Sequence, residues 1–259
     1  MATSSEVFRA PASAQAWDAV QRRAAASFAQ IVHSCSACPA RPATIFSTLE
    51  QARLRELDRF RKSIRHPAGA VVFFEGDHPS AVYGVCSGAV KLSSCSSEGR
   101  TVILRIATAG DVLGVCALLS GNPHEVTAET LEPTRVCRIP KDAFLDFLHR
   151  NSDLGLKLAE RLSRELVEAS QQVRATVLKP SSDRLMELLK SLCEAHGERT
   201  PEGIRLSIKL CQDELAALAG VSRRSLNRGL ARLRELGILE SRRGAIVVRD
   251  SAALRGIMH

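Results

Sequence analysis

The stretch that most constrains the fold is residues 211–250, CQDELAALAGVSRRSLNRGLARLRELGILESRRGAIVVRD. Its spacing predicts a first helix over 212–219 that ends at Gly220, because glycine tolerates the positive φ of a tight turn. Ser222 is then expected to cap a second helix that runs to Leu236. The apolar runs on either side of SRRG predict two strands. Two helices joined by a tight turn and followed by a two-stranded wing are typical of a winged helix-turn-helix domain.

The second helix of this domain has two chemically different faces. One stripe is expected to face the core, and it consists of Leu226, Leu230, Leu233 and Leu236. The residues expected to contact DNA lie on the opposite face and in the wing, and they are Ser222, Arg223, Arg224, Ser225, Asn227, Arg228, Arg242 and Arg243. In helix-turn-helix proteins the start of this helix enters the major groove, where arginine recognises guanine and asparagine recognises adenine. Residues 218–250 contain eight arginines against three acidic residues, so the wing also suits phosphates. The alternative is an ordinary helical hairpin with a hydrated arginine face.

The middle of the chain has a different period. Residues 68–140 are a series of short runs rich in valine and isoleucine, broken at close intervals by Gly-Asp, Ser-Gly and Glu-Gly turns. This pattern predicts an antiparallel β-roll of the jelly-roll type. The stretch before it, 43–65, is predicted to be a helix. Together with the C-terminal helices, the roll indicates an α+β fold.

A long helix is predicted between the roll and the C-terminal domain, from about Asp153 to Leu178. One set of its residues recurs at alternating steps of three and four, and this set is Ala159, Leu162, Leu166, Ala169 and Val173. The spacing is that of a coiled-coil seam, which favours dimerisation through this helix over packing on its own domain. Pro180 interrupts the helix, and Ser182 or Asp183 is expected to cap the next one.

Composition limits the other classes of function. The 259 residues contain no run of about 18 apolar residues and no apolar leader, so we expect a cytoplasmic protein with no membrane partner. The net charge of +8 favours an anionic partner such as nucleic acid. The isolated histidines and cysteines form no motif for a nucleophile, paired carboxylates or a phosphate loop, so we do not expect an enzyme.

The order of these parts resembles the Crp/Fnr family of bacterial transcription regulators. The similarity rests on EGD, SGAVK, EGRTVILRIATAGDVLG and ALLSG in the roll, on the long helix, and on ALAGVSRRSLNRGLARLRELGIL. It covers about residues 45–250. The resemblance implies a homodimer that binds a palindromic operator in double-stranded DNA, with a sensor in the roll and RNA polymerase as a further partner. The alternative is a ligand-sensing module of the cyclic-nucleotide type that does not act on DNA.

The resemblance also assigns domains. They are an N-terminal extension over 1–42, a sensor roll over 43–150, a dimerisation helix over 151–179 and a winged helix-turn-helix over 180–259. Family members that bind cyclic nucleotides hold the ribose and phosphate with a Gly-Glu pair and an Arg-Ser pair. This chain has Gly114-Val115 and about His124-Glu125 in those places. Because an acidic group repels phosphate and the arginine is missing, we do not expect cyclic AMP to bind.

The cysteines resemble those of the Fnr-like branch, whose members hold an iron-sulfur cluster. Cys35 and Cys38 match an N-terminal ligand pair, and Cys137 matches the distant ligand. Residues 44–46, Thr-Ile-Phe, stand where a further N-terminal cysteine is expected. Cys116 is the preferred substitute, and Cys86 or a nearby aspartate or histidine is the alternative. Three interpretations stay open, since such thiols serve as cluster ligands, as redox groups or other metal ligands, or as small core residues.

Overall fold

The N-terminal part of the chain folds into two antiparallel sheets of four strands each. The structure is a computed structural model that describes residues 34–242 and 245–249. The strands are β1 (Lys62–His66), β2 (Val71–Phe73), β3 (Ala81–Ser87), β4 (Ala89–Cys95), β5 (Thr101–Thr108), β6 (Val112–Leu113), β7 (Thr127–Thr130) and β8 (Thr134–Pro140). The first sheet has the order β1-β8-β3-β6, and the second has the order β2-β7-β4-β5. The strand pairs in both sheets are antiparallel. The predicted roll is confirmed.

Apolar side chains from both sheets fill the interior of the roll. The buried set is Phe73, Val85, Val90, Leu92, Ala107, Leu113 and Ala128. Two tight turns depend on glycine. Gly88 has a φ of 87°, and a Cβ there would lie 2.4 Å from Oγ1 of Thr134. Gly110 has a φ of 106°, and its Cβ would lie 2.8 Å from Cβ of Ala43. Any other residue at these positions would be strained and would clash.

The prediction of one helix over 43–65 is wrong at both ends. Helix α1 covers only Gln51–Phe60, where it buries Leu54 and Leu57 completely. The chain before α1 contains two short 3₁₀ turns, Cys35–Ala37 and Arg41–Ala43. The chain after it is β1, which pairs with β8 along its whole length. Ladder hydrogen bonds to a neighbouring strand outweigh the helical propensity of this stretch.

Three helices follow within or after the roll: α2 (Val115–Ser120), α3 (Lys141–His149) and α4 (Ser152–Leu178). The long helix is therefore present where it was predicted. Its first two turns bury Leu154 and Leu158 in a cluster with Phe144 and Phe147 of α3. Among the described residues, no helix combines the length and the apolar content that crossing a membrane requires.

A proline lies between α4 and the next helix. Pro180, with a φ of −57°, occupies the N-cap position of α5 (Ser181–His196). The expectation that Ser182 or Asp183 caps this helix is wrong, because the fixed φ of proline suits an earlier helix start.

The C-terminal domain combines three helices with a small sheet. Its further elements are β9 (Gly197–Thr200), β10 (Gly203–Leu206), α6 (Gln212–Ala219), α7 (Arg223–Glu235), β11 (Leu239–Arg242) and β12 (Ala245–Val248). The wing strands β11 and β12 pair as predicted, and β10 adds the unpredicted β9-β10 hairpin to their sheet. The helices and the sheet share one core, which includes Leu189, Leu215, Leu226, Leu230, Leu239 and Val248.

Candidate functional site

The turn between α6 and α7 is built by local hydrogen bonds. A capping box starts α6, in which Glu214 N donates to Sγ of Cys211 at 3.4 Å and Cys211 N donates to Oε2 of Glu214 at 2.9 Å. The helix ends at Gly220, whose φ of 61° confirms the expected left-handed turn. Cysteine here takes the place that serine or threonine usually has in a capping box, so sequence analysis missed this role of Cys211.

The start of α7 is fixed by two serines. Oγ of Ser222 accepts a hydrogen bond from Ser225 N at 3.1 Å, which confirms the predicted cap. Ser222 Oγ also lies 3.0 Å from Oγ of Ser225. Both side chains therefore stabilise the end of the helix that would enter a groove. A DNA contact by either serine would have to coexist with this cap.

The buried side of α7 matches the predicted stripe at three of four positions. Leu226, Leu230 and Leu233 are buried, whereas Leu236 is 47% exposed. The helix ends at Glu235, so Leu236 lies beyond the last helical residue and leaves the stripe. Gly229 has a role that its sequence context does not reveal. A Cβ at this position would lie 2.5 Å from Cδ2 of Leu185, so glycine permits the close approach of α7 to α5.

The opposite side of α7 is exposed and basic. Arg223, Arg224, Asn227 and Arg228 are all exposed, as predicted. Arg223 forms an ion pair with Asp213 at 3.1 Å. Within the described residues, neither Arg224 nor Arg228 has an acidic partner. The backbone of Arg242 belongs to β11, and Arg243 lies outside the described residues. The geometry therefore leaves two arginines, four residues apart on one helix face, available to an anionic ligand.

The roll contacts the helix-turn-helix directly. Nζ of Lys91 in β4 lies 2.9 Å from Oε1 of Glu214 and 3.1 Å from Oε1 of Glu129. Burial alone would raise the pKa of Glu214, but the backbone N–H of Cys211 and the ammonium of Lys91 outweigh it and lower that pKa. Ile106 of β5 also packs against the core of the C-terminal domain. The roll thus holds the first helix of the motif through charge and apolar contact.

The long helix contacts the same motif from another side. Arg184 of α5 donates to the carbonyl of Thr176 in α4 at 2.7 Å and to the carbonyl of Gly220 at 2.8 Å. Nε2 of Gln172 donates to the carbonyl of Leu218 at 3.4 Å. The role of Arg184 could not be read from the sequence, because both of its acceptors are backbone carbonyls and that of Gly220 lies 36 residues away. Movement of α4 would therefore act on the turn of the helix-turn-helix.

Four charged residues join the roll to α4. Arg105 lies 3.4 Å from Oδ2 of Asp111 and 3.1 Å from Oε1 of Glu165. Arg161 lies 2.9 Å from Oε1 of Glu165 and also pairs with Asp111. Because two arginines alternate with two carboxylates, the charges in this network are balanced. The network borders a cavity of about 1220 Å³ between the roll, α4 and the C-terminal domain.

A buried histidine lies beside Gly114, one of the positions where the resemblance would place a nucleotide site. His124 is 5% exposed and stacks on Phe73, with ring centroids 3.9 Å apart. A Cβ at Gly114 would lie 3.1 Å from Cε1 of this histidine. Burial lowers the pKa of His124, although Asp77 acts in the opposite direction. A largely neutral, stacked ring therefore stands near Gly114, where a phosphate site would need a cation.

Of the four cysteines predicted as ligands, the structure brings Cys35 and Cys137 together and leaves Cys116 apart. Cys35 and Cys137 are neighbours, and their hydrogen bond, together with burial, raises the pKa of Cys35 far above its ordinary value. Burial raises the pKa of Cys86 to about 11, with smaller effects of Cys38 and Cys35 in the same direction. Cys116 lies on α2. Partial burial raises the pKa of its thiol, Glu165 and Glu125 act in the same direction, and Arg105 acts against them. The prediction that Cys116 completes a ligand set with the other three is wrong, because α2 faces the cavity.

The expected iron-sulfur cluster has no complete set of ligands assembled among the described residues. Between residues 34–242 and 245–249, no group of three or more histidine, cysteine, aspartate or glutamate side chains could hold a metal ion. Thr44, which stands where a third N-terminal cysteine was expected, closes a turn instead. Its Oγ1 donates to the carbonyl of Arg41 at 2.8 Å and accepts from Phe46 N at 3.1 Å. Among the described thiols, Cys35 is paired with Cys137, and Cys86 lies near enough to Cys38 and Cys35 to be influenced by both.

Comparisons with known proteins agree with both domains. A cyclic nucleotide-binding domain model matches residues 63–151, and a Crp-like helix-turn-helix domain model matches residues 183–257. A CRP-like cAMP-activated global transcriptional regulator from Mycobacterium tuberculosis is 24% identical over 212 residues, which cover 82% of this chain and 95% of that protein. The global nitrogen regulator of a Synechocystis species is 28% identical over 185 residues, covering 71% of this chain and 82% of that protein.

The solved structures give the same result. The crystal structure of a transcriptional regulator of the CRP/FNR family from Thermus thermophilus matches with a TM-score of 0.65 and 25% identity. The match covers 76% of this chain and 97% of that one. These relatives are regulators, which confirms the expectation that the chain is not an enzyme. From its two matched domains, their order and its relatives, the chain is a DNA-binding transcription regulator that belongs to the Crp/Fnr family.

Proposed function

We propose that this regulator binds a palindromic operator as a homodimer, with the start of α7 in the major groove and the roll controlling the geometry of binding. The proposal rests on the exposure of two arginines, Arg224 and Arg228, and on the absence of an ion pair at either one among the described residues. Both are exposed at the start of α7, and within the described residues neither has an acidic partner. An arginine in this state contacts DNA without first breaking an ion pair.

The residues of α7 take different parts in this interface. Arg224 and Arg228 each donate two hydrogen bonds to a guanine, and Asn227 pairs with an adenine. Arg223 is held by Asp213 in the free protein, so its contact with DNA requires that this pair open. Arg242 and Arg243 of the wing contact phosphates and add affinity with little sequence preference.

The homodimer forms along the outer half of α4. Leu166 is 69% exposed and Val173 is 63% exposed, although both are large and apolar. Ala159 and Ala169 of the seam are exposed as well, whereas Leu162 is partly buried against the roll. A second α4 would cover this seam at coiled-coil spacing. Two recognition helices about 34 Å apart would then meet successive turns of the duplex.

Control by the roll acts through the contacts that join the domains. The Lys91–Glu214 pair holds α6, and Arg184 ties α4 to the turn between α6 and α7. A change in the roll or in its contacts with α4 therefore alters the position of both recognition helices in a dimer. The equilibrium shifts only as far as the effector prefers one of the two arrangements.

The effector is not cyclic AMP in this proposal. Arg105 and Arg161 at the cavity are already paired with carboxylates, and His124 is stacked on Phe73 near Gly114. To bind a phosphate, Arg105 and Arg161 would therefore first have to give up their carboxylate partners. We further propose that the regulator acts in the bacterial cytoplasm, where its operator and its second partner, RNA polymerase, are found.

Selection from a pool of random DNA duplexes tests the proposal. The purified protein should enrich inverted repeats whose half-site centres lie about 10 base pairs apart. Arg224→Ala should lose preference at one position in each half-site, at a cost of about 1–3 kcal/mol. Arg100→Ala removes one charge from an exposed turn of the roll and should enrich the same repeats as the wild type. Enrichment of single, asymmetric sites, or an unchanged preference for Arg224→Ala, would contradict the proposed interface.

A further inference from the structure

Two pairs of like charges lie opposite each other on β1 and β8. The register places Arg65 opposite Arg135 and Lys62 opposite Arg138. Neither strand contains an acidic residue, since their sequences are KSIRH and TRVCRIP. Like charges in this arrangement destabilise an antiparallel pair, because the Cβ atoms of directly opposite residues are only about 5 Å apart. The sheet by itself would therefore favour opposite charges at these positions.

The position of β1 in the sheet explains only some of these charges. β1 is the outer strand of its sheet, and charged side chains on an outer strand hinder its pairing with another chain. This reason accounts for Lys62 and Arg65, which are both exposed. It does not account for Arg135, because β8 lies between β1 and β3. The arginine in β8 therefore needs a different explanation.

The side chain of Arg135 lacks the partners that other half-buried arginines have. Its Nε is buried without a hydrogen-bond partner, and it forms no ion pair within the described part of the chain. Arg61, by contrast, is paired with Asp58, and Arg105 and Arg161 are paired with carboxylates. A partly buried guanidinium is costly unless hydrogen bonds and an opposite charge compensate it. Arg135 thus has the surroundings of a group whose partner comes from outside the chain.

We propose that Arg65 and Arg135 form a binding site for a phosphate group, which belongs to inorganic phosphate or to a small phosphate monoester. Two guanidinium groups on neighbouring strands need acceptor oxygens on two sides of one ligand. A phosphate monoester has three such oxygens and a charge of about −1.5 to −2 at pH 7, which balances two arginines. A carboxylate has two oxygens and one charge, so it satisfies only one planar guanidinium fork. Because Arg65 is exposed and Arg135 is half-buried, a ligand can reach both from solvent.

This phosphate site is separate from the cavity between the roll, α4 and the C-terminal domain. The strand order β1-β8-β3-β6 places β1 and β6 at opposite edges of one sheet. Val112 and Leu113 of β6 line the cavity, whereas Arg65 and Arg135 do not. The two arginines therefore form a second place for a ligand, independent of the effector and of the proposed DNA interface.

Calorimetric titration of the full-length protein with inorganic phosphate, at constant ionic strength and without DNA, tests this proposal. Arg135→Gln and Arg65→Gln should each weaken phosphate binding by about tenfold or more, because each removes charge-assisted hydrogen bonds. Arg138→Gln removes the same charge from β8 three residues further on, where alternation along the strand places the side chain on the other side of the sheet, and should bind phosphate as the wild type does. Undiminished binding by Arg135→Gln, or an equal loss in Arg138→Gln, would overturn the proposal.

Two further ligands define the chemistry of the site. Acetate, a carboxylate, should bind much more weakly than phosphate, and equal binding of the two would contradict a site built for a phosphate group. Glycerol phosphate distinguishes the two sources of that group. Binding comparable to that of inorganic phosphate would support a monoester, and binding of inorganic phosphate alone would support the free ion.

Thermal denaturation separates a ligand site from a structural role of Arg135. Phosphate should raise the Tm of the wild type by an amount that grows with its concentration, and it should raise the Tm of Arg135→Gln much less. In phosphate-free buffer Arg135→Gln should be at least as stable as the wild type, because the substitution removes an unpaired charge and its repulsion from Arg65. A lower Tm of Arg135→Gln in that buffer would show that the arginine stabilises the fold itself, and the proposal would fail. Because no DNA is present, this failure would leave the proposed DNA interface untouched.

Discussion

The protein uses arginine in two opposite ways at two places. In the joint between the roll and α4, Arg105 and Arg161 have side chains only 26% and 28% exposed, and both are paired with carboxylates. At the start of α7, Arg224 and Arg228 are exposed, and the described residues offer them no carboxylate. A partly buried charge is costly unless it is paired, whereas an exposed one remains hydrated at little cost. Pairing therefore separates the arginines that hold the molecule together from those that are left for a ligand.

The apolar side chains of α4 likewise fall into a buried group and an exposed group. Leu154 and Leu158 are buried against the roll, but Leu166 and Val173 further along the helix are mostly exposed. Substitutions at partnered positions should therefore reduce the stability of the monomer. Substitutions at open positions should reduce binding to a partner and leave the folded monomer intact.

The largest effect is expected at the open apolar positions of α4. Changing both Leu166 and Val173 to Lys places like charges opposite each other across the proposed two-fold axis and should cost several kcal/mol of association. Sedimentation should find a monomer whose circular dichroism matches that of the wild type. Replacing Lys157 and Glu160, which pair with each other on the same helix, by alanine should leave the dimer intact. A double-lysine variant that still sediments as a dimer would show that α4 packs elsewhere.

An intermediate effect is expected in the joint between the roll and α4. Arg161→Ala leaves Asp111 and Glu165 short of a partner in a partly buried site and should lower the free energy of unfolding by about 2–3 kcal/mol. Urea denaturation measures the loss. Arg164→Ala removes the same charge from an exposed position of the same helix and should change stability by less than about 0.5 kcal/mol. Equal losses of stability for the two variants would show that the paired arginine stabilises the fold no more than the exposed one does.

The smallest effect is expected where the roll holds α6. Lys91→Met removes the ion pairs with Glu214 and Glu129 and should lower stability at neutral pH by about 1 kcal/mol or less. Because the pKa of Glu214 is lower in the folded protein than its ordinary value of 4.5, this stabilisation is present above that pH. It should fade as the pH falls and Glu214 becomes protonated. The difference in the free energy of unfolding between wild type and Lys91→Met should therefore be smaller at pH 4 than at pH 7. Urea denaturation at the two pH values measures it. A difference that grows in acid would contradict this assignment.

Features formed by residues that are close together in the chain could be predicted from the sequence. The cap at Ser222, the turn at Gly220 and the leucine stripe lie within a few residues of one another, and local rules describe such signals well. The cysteines lie about a hundred residues apart, so their pairing depends on how the roll folds. Cys116 was the wrong partner for this reason, since nothing in its local sequence shows that α2 faces the cavity. Likewise β1 needed β8 as a partner before its pattern could be distinguished from a helix.

The assignment of α7 as the DNA-reading helix is tested most directly by comparing Arg228→Ala with Arg232→Ala on the selected operator and on an unrelated duplex. The two arginines lie one turn apart on the same helix, and Arg232 is paired with Glu235 at 3.6 Å. Arg228→Ala should weaken operator binding by about 1–3 kcal/mol and leave binding to the unrelated duplex much less affected. Arg232→Ala should weaken binding to both duplexes by the same small amount. If Arg228→Ala also weakens both equally, or weakens neither, α7 does not recognise the bases of the operator.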